Sequence, residues 1–337
     1  MDMNDTAKHL GFLIFPGFPM ACLTSAIEPL RAANEITGKR AFRWSVIGED
    51  RAPVASSAEV VFEPTVALAD AGGLDYLFFL SSPKGSFNAP KKSHAGLRWL
   101  ARQGVQIGGF SGGIFPLARA GLLGDHSVSV HWCYEAAFKA EFPQIEASAA
   151  VMTIDRNRIT AAGATAVFDL MLRLIEADLG PEVMTEVACW FQHPVVRGPD
   201  VVQRTPGYRA DRTHDTLPVA VARAITLFSE NIEEPLAIAD VALRIGLSAR
   251  QLDRSFQQST GLGPLRYYRM IRMKQARQLV QFSDATITAI ALAVGYASST
   301  PMVQHYVDEF GLTPQADRAA RNGFRQRGTA PRFVAQS

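Results

Sequence analysis

Two groups of residues in this 337-residue chain have types and spacing that could do chemistry. The first is Gly109-Phe-Ser-Gly-Gly113, which satisfies G-x-S-x-G, follows the strand-like Val105-Gln-Ile107 and precedes a helical stretch. Strand, sharp turn and helix in that order make a nucleophile elbow, which thrusts a serine hydroxyl out beside backbone N–H groups. Used as in an α/β-hydrolase, Ser111 would need His131 as its base and Asp125 as its acid. An elbow this late in a domain of about 190 residues leaves little room for the strands such a hydrolase places after it, so hydrolysis by Ser111 is the second reading.

The other group is basic. Between positions 244 and 277, seven arginines and Lys274 face one acid, Asp253. A charge run is ordinarily a solvated helix face. This one overlaps a helix-turn-helix pattern, and an electrostatic footprint for phosphates becomes the better reading. The arginines follow the overall polarity of the chain: residues 217–337 carry 14 Lys and Arg against 9 Asp and Glu, and residues 1–216 carry 20 against 23.

The elements that must position the basic residues are two helix-turn-helix segments starting 49 residues apart, Ile238 to Phe256 and Ile287 to Tyr306. Each has a short apolar helix, a glycine at the turn (Gly246, Gly295) and a serine placed to cap the next helix (Ser248, Ser298). In the first recognition helix Leu252 and Phe256 are four apart and point to a core, leaving Arg250, Gln251, Asp253, Arg254, Gln257 and Gln258 outward. Arginine can bond bidentately to guanine and glutamine to adenine in the major groove. In the second, Met302 and Tyr306 are the inward pair, and Ser299, Thr300, Gln304 and His305 face out, His305 as contact or bystander. A helix from about Leu265 to Phe282 lies between them, roughly 27 Å long at 1.5 Å per residue. One turn of B-DNA is about 34 Å, so this rod could set the two recognition helices in successive major grooves, with several of its arginines on phosphates.

Residues 9–190 alternate strand and helix patterns: a strand at 9–15, a helix at 20–34, strands at 42–47 and 76–80, and a helix at 97–103. Further on come a helix at 114–120, a strand at 127–130, a helix at 134–142, a hairpin around Arg156-Asn157 and a long helix from Thr165 to about Leu179. That alternation predicts a largely parallel sheet covered on both faces, with ligands at the carboxyl ends of its strands. From 193 to 216 the periodicity fades into Pro, Gly, Arg and Asp, which reads as a linker; from Leu217 on the chain is all helix. No apolar run approaches a membrane span, the N-terminus lacks a signal-peptide pattern, and three scattered cysteines offer neither a disulfide framework nor a zinc spacing. The expectation is a cytoplasmic protein without membrane association, metal or cofactor.

Residues 217–325 resemble the AraC family of bacterial transcriptional regulators. The resemblance rests on Gly246-Leu-Ser-Ala-Arg-Gln-Leu-Asp-Arg-Ser-Phe256, Gly261-Leu-Gly-Pro-Leu-Arg-Tyr-Tyr-Arg269, Gly295-Tyr-Ala-Ser-Ser299 and Phe310-Gly-Leu-Thr-Pro314. It implies base readers at Arg250, Asp253, Arg254, Ser299, Thr300 and Gln304. Met302 stands where the family usually has Phe, and Asp317-Arg318 replaces Tyr-Arg, a change expected to loosen the last helix.

Residues 9–192 resemble the amidotransferase-like (PfpI-type) domain of GlxA-type regulators, on Phe15-Pro-Gly-Phe18, Glu28-Pro-Leu-Arg-Ala-Ala-Asn34, Gly112-Gly-Ile-Phe-Pro-Leu-Ala118, His131-Trp132 and Ile159-Thr-Ala-Ala-Gly163. The two resemblances imply an α/β amidotransferase-like (flavodoxin-like) sandwich, a linker over 193–216 and an all-α domain with two helix-turn-helix motifs. Enzymes of the first fold carry a cysteine at the elbow; Ser111 here excludes a thiolate at that position. The pocket is then expected to bind rather than react, lined by Ser111, Gly112, His131, Trp132 and Glu28, with Trp132 equally able to be a core residue. Cys133 reads as a packed apolar residue. Relatives sharing the Glu28–Asn34 segment answer to arginine, betaine or carnitine, which implies a small amine-bearing effector. The expected protein is a homodimeric activator that binds an operator in double-stranded DNA and works with RNA polymerase.

Overall fold

The computed structural model describes residues 7–193, 195–204 and 217–326, in two compact units that divide at Gln203 and Arg204. In the N-terminal unit β1 (Lys8–Ile14) leads into α1 (Met20–Thr37), then β2 (Phe42–Gly48) and three short strands, β3 (Val54–Ala55), β4 (Val61–Phe62) and β5 (Val66–Ala67). Next come β6 (Tyr76–Ser81), α2 (Pro90–Arg102), β7 (Gln106–Ser111), α3 (Ile114–Arg119), β8 (Val128–Ser129), α4 (Glu135–Glu141) and β9 (Ala147–Ser148). The hairpin β10 (Met152–Asp155) and β11 (Arg158–Ala161) precedes α5 (Ala164–Leu179) and α6 (Pro181–Trp190). Seven strands form one sheet in the order β10-β11-β7-β6-β1-β2-β5, parallel throughout except for β10 against β11. This is the doubly wound α/β sandwich that the alternation predicts.

Period-2 alternation along each strand divides the core. Leu10, Phe12 and Ile14 on β1, Phe78 and Leu80 on β6 and Phe110 on β7 lie in one buried cluster with residues of α1, α5 and α6. Phe78 stacks on Phe110 at 4.5 Å and Phe12 at 6.1 Å between ring centroids, a ladder across three strands. Each such ring, fully buried, contributes about 2–3 kcal/mol of transfer free energy.

Two differences from the sequence reading have local causes. Helix α2 begins at Pro90 rather than Leu97, because the carboxylate of distant Glu49 accepts the Asn88 and Ala89 N–H groups and the Ser93 hydroxyl, at 2.6–2.8 Å. The expected linker is shorter at its start. Asp169 of α5, fully buried, accepts from His193 Nε2 and Arg197 Nε, both at 2.7 Å, and binds that segment to the N-terminal unit. Residues 201–203 pair with 149–151; residues 205–216 of the linker lie outside the described residues.

In the C-terminal unit every described element is a helix: α7 (Val219–Glu230), α8 (Ile238–Arg244), α9 (Ala249–Thr260), α10 (Pro264–Phe282), α11 (Ile287–Ala293), α12 (Ser299–Phe310) and α13 (Pro314–Gln326). Phe228 stacks on Tyr268 at 4.2 Å and Phe256 meets Tyr267 at 5.4 Å, so α7, α9 and α10 share one core. Asp317 does not loosen the last helix as expected. Almost fully buried, it accepts from Tyr306 and Arg277 at 2.7 Å and from Gln281 at 3.0 Å, while Arg318 donates to the carbonyls of Val280 and Ala285.

Candidate nucleic-acid interface and effector pocket

The first helix-turn-helix consists of α8 and α9. Gly246 adopts φ +76° and Gly295, its counterpart between α11 and α12, φ +74°, a left-handed conformation that costs glycine little. Gly295 has a second reason: a Cβ there would come within 2.6 Å of the Ile232 carbonyl oxygen. Ser248 caps α9 by accepting the Gln251 N–H, and the Gln251 side chain returns to the Ser248 N–H at 2.8 Å, closing a capping box. Leu252 and Phe256 are fully buried.

At about 100° per residue, Arg250, Asp253, Arg254 and Gln257 then fall in one stripe opposite that core, and all four are exposed. Gln251 is exposed too but lies at the edge of the stripe, its Oε1 committed to the cap. Arg250 and Arg254 have no hydrogen-bond or ion-pair partner among the described residues, so both guanidinium forks are available to a base edge.

The second motif is built less sharply. Ser298 occupies the cap position of α12 without a side-chain cap bond, whereas Thr286 caps α11 through the Ala289 N–H at 3.1 Å. Met302 and Tyr306 are fully buried, as their spacing predicts. Thr300 and Gln304 share the exposed face, where Gln304 also donates to Asp308 at 2.9 Å; Ser299 is half-buried on the core side. His305 is held at 2.8 Å by the Tyr296 hydroxyl, and burial lowers its pKa, which makes it part of the packing.

The rod α10 carries arginines of two kinds. Arg272 donates to the carbonyls of Val294 and Gly295, both at 2.7 Å, and stacks over Tyr296 at 4.2 Å; Arg277 is bound to Asp317. These fasten the fold and are not the free phosphate contacts that the sequence allowed. Arg266 and Arg269 are exposed. Arg269→Ala should therefore weaken binding by a similar factor on every DNA sequence and make the salt slope shallower by about one unit. A titration at several salt concentrations on specific and scrambled duplexes checks this; a loss confined to the specific duplex would make Arg269 a base reader.

In the N-terminal unit the elbow has the geometry that its sequence predicts. Strand β7 ends at Ser111, which is buried and sits at φ +53°, a conformation uncommon for a residue with a Cβ. The turn lies tight against β6: a Cβ on Gly112 would be 2.5 Å from the Ser81 carbonyl oxygen, and one on Gly113 would be 1.9 Å from that of Phe79. Ser81 is the register partner of Ser111, and Ala161 of β11 that of Phe110, so these strands end together at one edge of the sheet.

His131 reaches the same edge, where a Cβ on Gly163, just past β11, would touch its ring at 3.4 Å. Burial lowers the His131 pKa and favours the neutral ring. Its Nδ1 accepts the Cys133 N–H at 3.3 Å and lies 3.0 Å from Cys133 Sγ, so the thiol has a polar partner rather than the purely apolar setting expected. Trp132 and Tyr134 are half-buried, their rings 5.5 and 5.4 Å from that of His131.

Among the described residues no side chain hydrogen-bonds Ser111, and the His131 nitrogen with a lone pair is turned to Cys133, so no base is in place to activate the serine. Glu28 lies about 12 Å along α1 from the helix start and pairs with Arg31 at 2.9 Å. Gln203, which the sequence reading passed over, bonds the backbone on both sides of His131; nothing in its local sequence marks it.

Among the described residues no helix is long and apolar enough to cross a membrane. A family profile described as a helix-turn-helix domain matches residues 241–320. The HTH-type transcriptional regulator GbdR of Pseudomonas aeruginosa is 31% identical over 315 residues, covering 94% of this chain and 85% of that protein. ArgR of the same species, also an HTH-type transcriptional regulator, is 32% identical over 340 residues, covering 95% and 96%. The HTH-type transcriptional regulator GlxA of Rhizobium meliloti is 32% identical over 308 residues, covering 91% and 94%.

Proposed function

Because the chain belongs to the AraC family of transcriptional regulators, with an amidotransferase-like domain ahead of its DNA-binding unit, we propose that it is an effector-controlled activator of transcription that acts as a homodimer and recruits RNA polymerase. The observation that carries the DNA half is the exposed stripe of Arg250, Asp253, Arg254 and Gln257 on a capped helix whose opposite side is locked into the core. Such a helix presents its side chains to a major groove without reorganising, and Arg250 and Arg254 are the main readers. Thr300 and Gln304 supply the weaker second contact.

The effector is a small metabolite bearing an amine or quaternary ammonium and a carboxylate. Its carboxylate accepts from Ser111, and its cation faces the aromatic group of Trp132 and Tyr134. Binding must differ between two states of the N-terminal unit if it is to change DNA binding at all.

The test has two arms on the full chain. Selection from a random duplex library should enrich a bipartite site, and failure to enrich any sequence over background would overturn the DNA reading. Thermal unfolding with L-arginine, glycine betaine or L-carnitine at millimolar concentration should raise the midpoint for at least one, since 100-fold saturation adds about 2.7 kcal/mol. No rise with any of them would remove this effector class.

A further inference from the structure

The chain leaves the first unit along residues 201–203, and the fastening of that strap involves the backbone on either side of His131. Val202 bridges Ala150 in antiparallel fashion, the Val151 N–H donates to the Val201 carbonyl at 2.7 Å, and the Gln203 N–H donates to the Ala149 carbonyl at 2.9 Å. Apolar burial adds little, because Val201 and Val202 are both exposed.

The side chain of Gln203 adds what the valines do not. Its Oε1 accepts the Trp132 N–H at 2.9 Å, and its Nε2 donates to the carbonyls of Val130 at 2.7 Å and Ala150 at 3.1 Å. One carboxamide therefore pairs with the peptide groups on both sides of His131 and with the edge on which the strap is docked. Only a side chain with both an acceptor and two donors can do this; glutamate lacks the donors. At Gln203 the chain crosses from one unit to the other, and it runs through 204–218 to α7.

We propose that Gln203 is the latch by which the His131–Trp132 site controls the strap leading to the linker: an effector lodged against these residues shifts the 130–132 backbone, breaks the Gln203 bonds and releases residues 201–203 from 149–151. This rests on the pocket reading above and deepens it by naming the element that carries the signal. The docked and released strap are the two states that an effector against His131 and Trp132 biases.

The test uses the full chain with no compound present, so it is independent of the thermal-shift panel that decides the pocket reading. Arg204 follows the latch directly, and tryptic cleavage after it reports release of the strap. Gln203→Ala should be cut there at least about tenfold faster than the natural chain. Gln203→Glu, which keeps the acceptor for Trp132 and loses the donors, should fall between; Val202→Ala should match the natural chain. Slow hydrogen exchange at the Phe78 amide, on a central strand, establishes that each variant is folded. In a reporter strain Gln203→Ala should shift expression by at least about threefold. Equal cleavage rates would overturn the proposal, as would faster cleavage with unchanged expression in a variant that still binds operator DNA. Failure of the natural chain to bind any operator would instead count against the DNA reading.

Discussion

Replacing Arg250 and Arg254 together by alanine is expected to lower affinity for the selected operator by about 30-fold to 20,000-fold. Each bidentate arginine–guanine pair is worth about 1–3 kcal/mol of discrimination, and every 1.4 kcal/mol is a factor of ten. The two side chains are one turn apart on the same stripe, exposed, and opposite Leu252 and Phe256, so their removal leaves the core untouched. The unfolding midpoint should stay where it is, which separates lost recognition from lost fold. Binding to a scrambled duplex should fall far less. Equal losses on operator and scrambled DNA would make the pair phosphate contacts, and the search for base readers would move to Asp253 and Gln257.

The second large effect is on stability. Asp317→Ala should destabilise the DNA-binding unit by about 3 kcal/mol, lowering its midpoint by more than about 10 °C. The reason is what the substitution leaves behind. Tyr306, fully buried, would lose the acceptor for its hydroxyl, and Arg277 would lose its anion. Asp317→Asn keeps an acceptor and should cost less.

A pH dependence accompanies this. Burial of Asp317 raises its pKa, but hydrogen bonds from Tyr306, Gln281 and Arg277 outweigh burial and leave the pKa below the ordinary carboxylate value. A depressed folded pKa means stability that is fully present above the unfolded value, about 3.9, and lost as pH falls through the folded one. Circular dichroism of the helices on acid titration should show natural chain and Asp317→Ala converging as pH drops below about 4. A constant gap down to acid pH would show that folding does not shift the Asp317 pKa.

What could be read in the sequence was what local pattern determines. Continuous apolar runs such as Tyr76–Leu80 and the i, i+4 pairs Leu252/Phe256 and Met302/Tyr306 placed strands, helices and their core faces correctly, because a run apolar on both faces must be buried on both and helical period decides which side of a helix is buried. The elbow was legible for a related reason: close approach of Gly112 and Gly113 to β6 forbids any Cβ there, so the motif is its own geometry. What escaped depends on partners far along the chain. Glu49 starts α2 from 40 residues away, Asp169 extends the N-terminal unit past 193, and Asp317 acts through groups 11 to 40 positions earlier. The same cause hid the division among the arginines. Arg272 and Arg269 look alike in sequence, and only the carbonyls of Val294 and Gly295 make one a fastener and leave the other exposed.

That fastening gives the operator a phase. With Arg272 clamped to the turn of the second motif and the first motif packed through Phe256 and Tyr267 onto the same rod, α10 joins the two readers without a joint. One base pair inserted between the two contacted segments would carry the far one about 3.4 Å along the axis and turn it by about 35°. A rigid gauge of fixed length cannot follow that screw motion, so the DNA must untwist or one helix must let go. Spacing is then read as strictly as sequence, and by residues that touch no base.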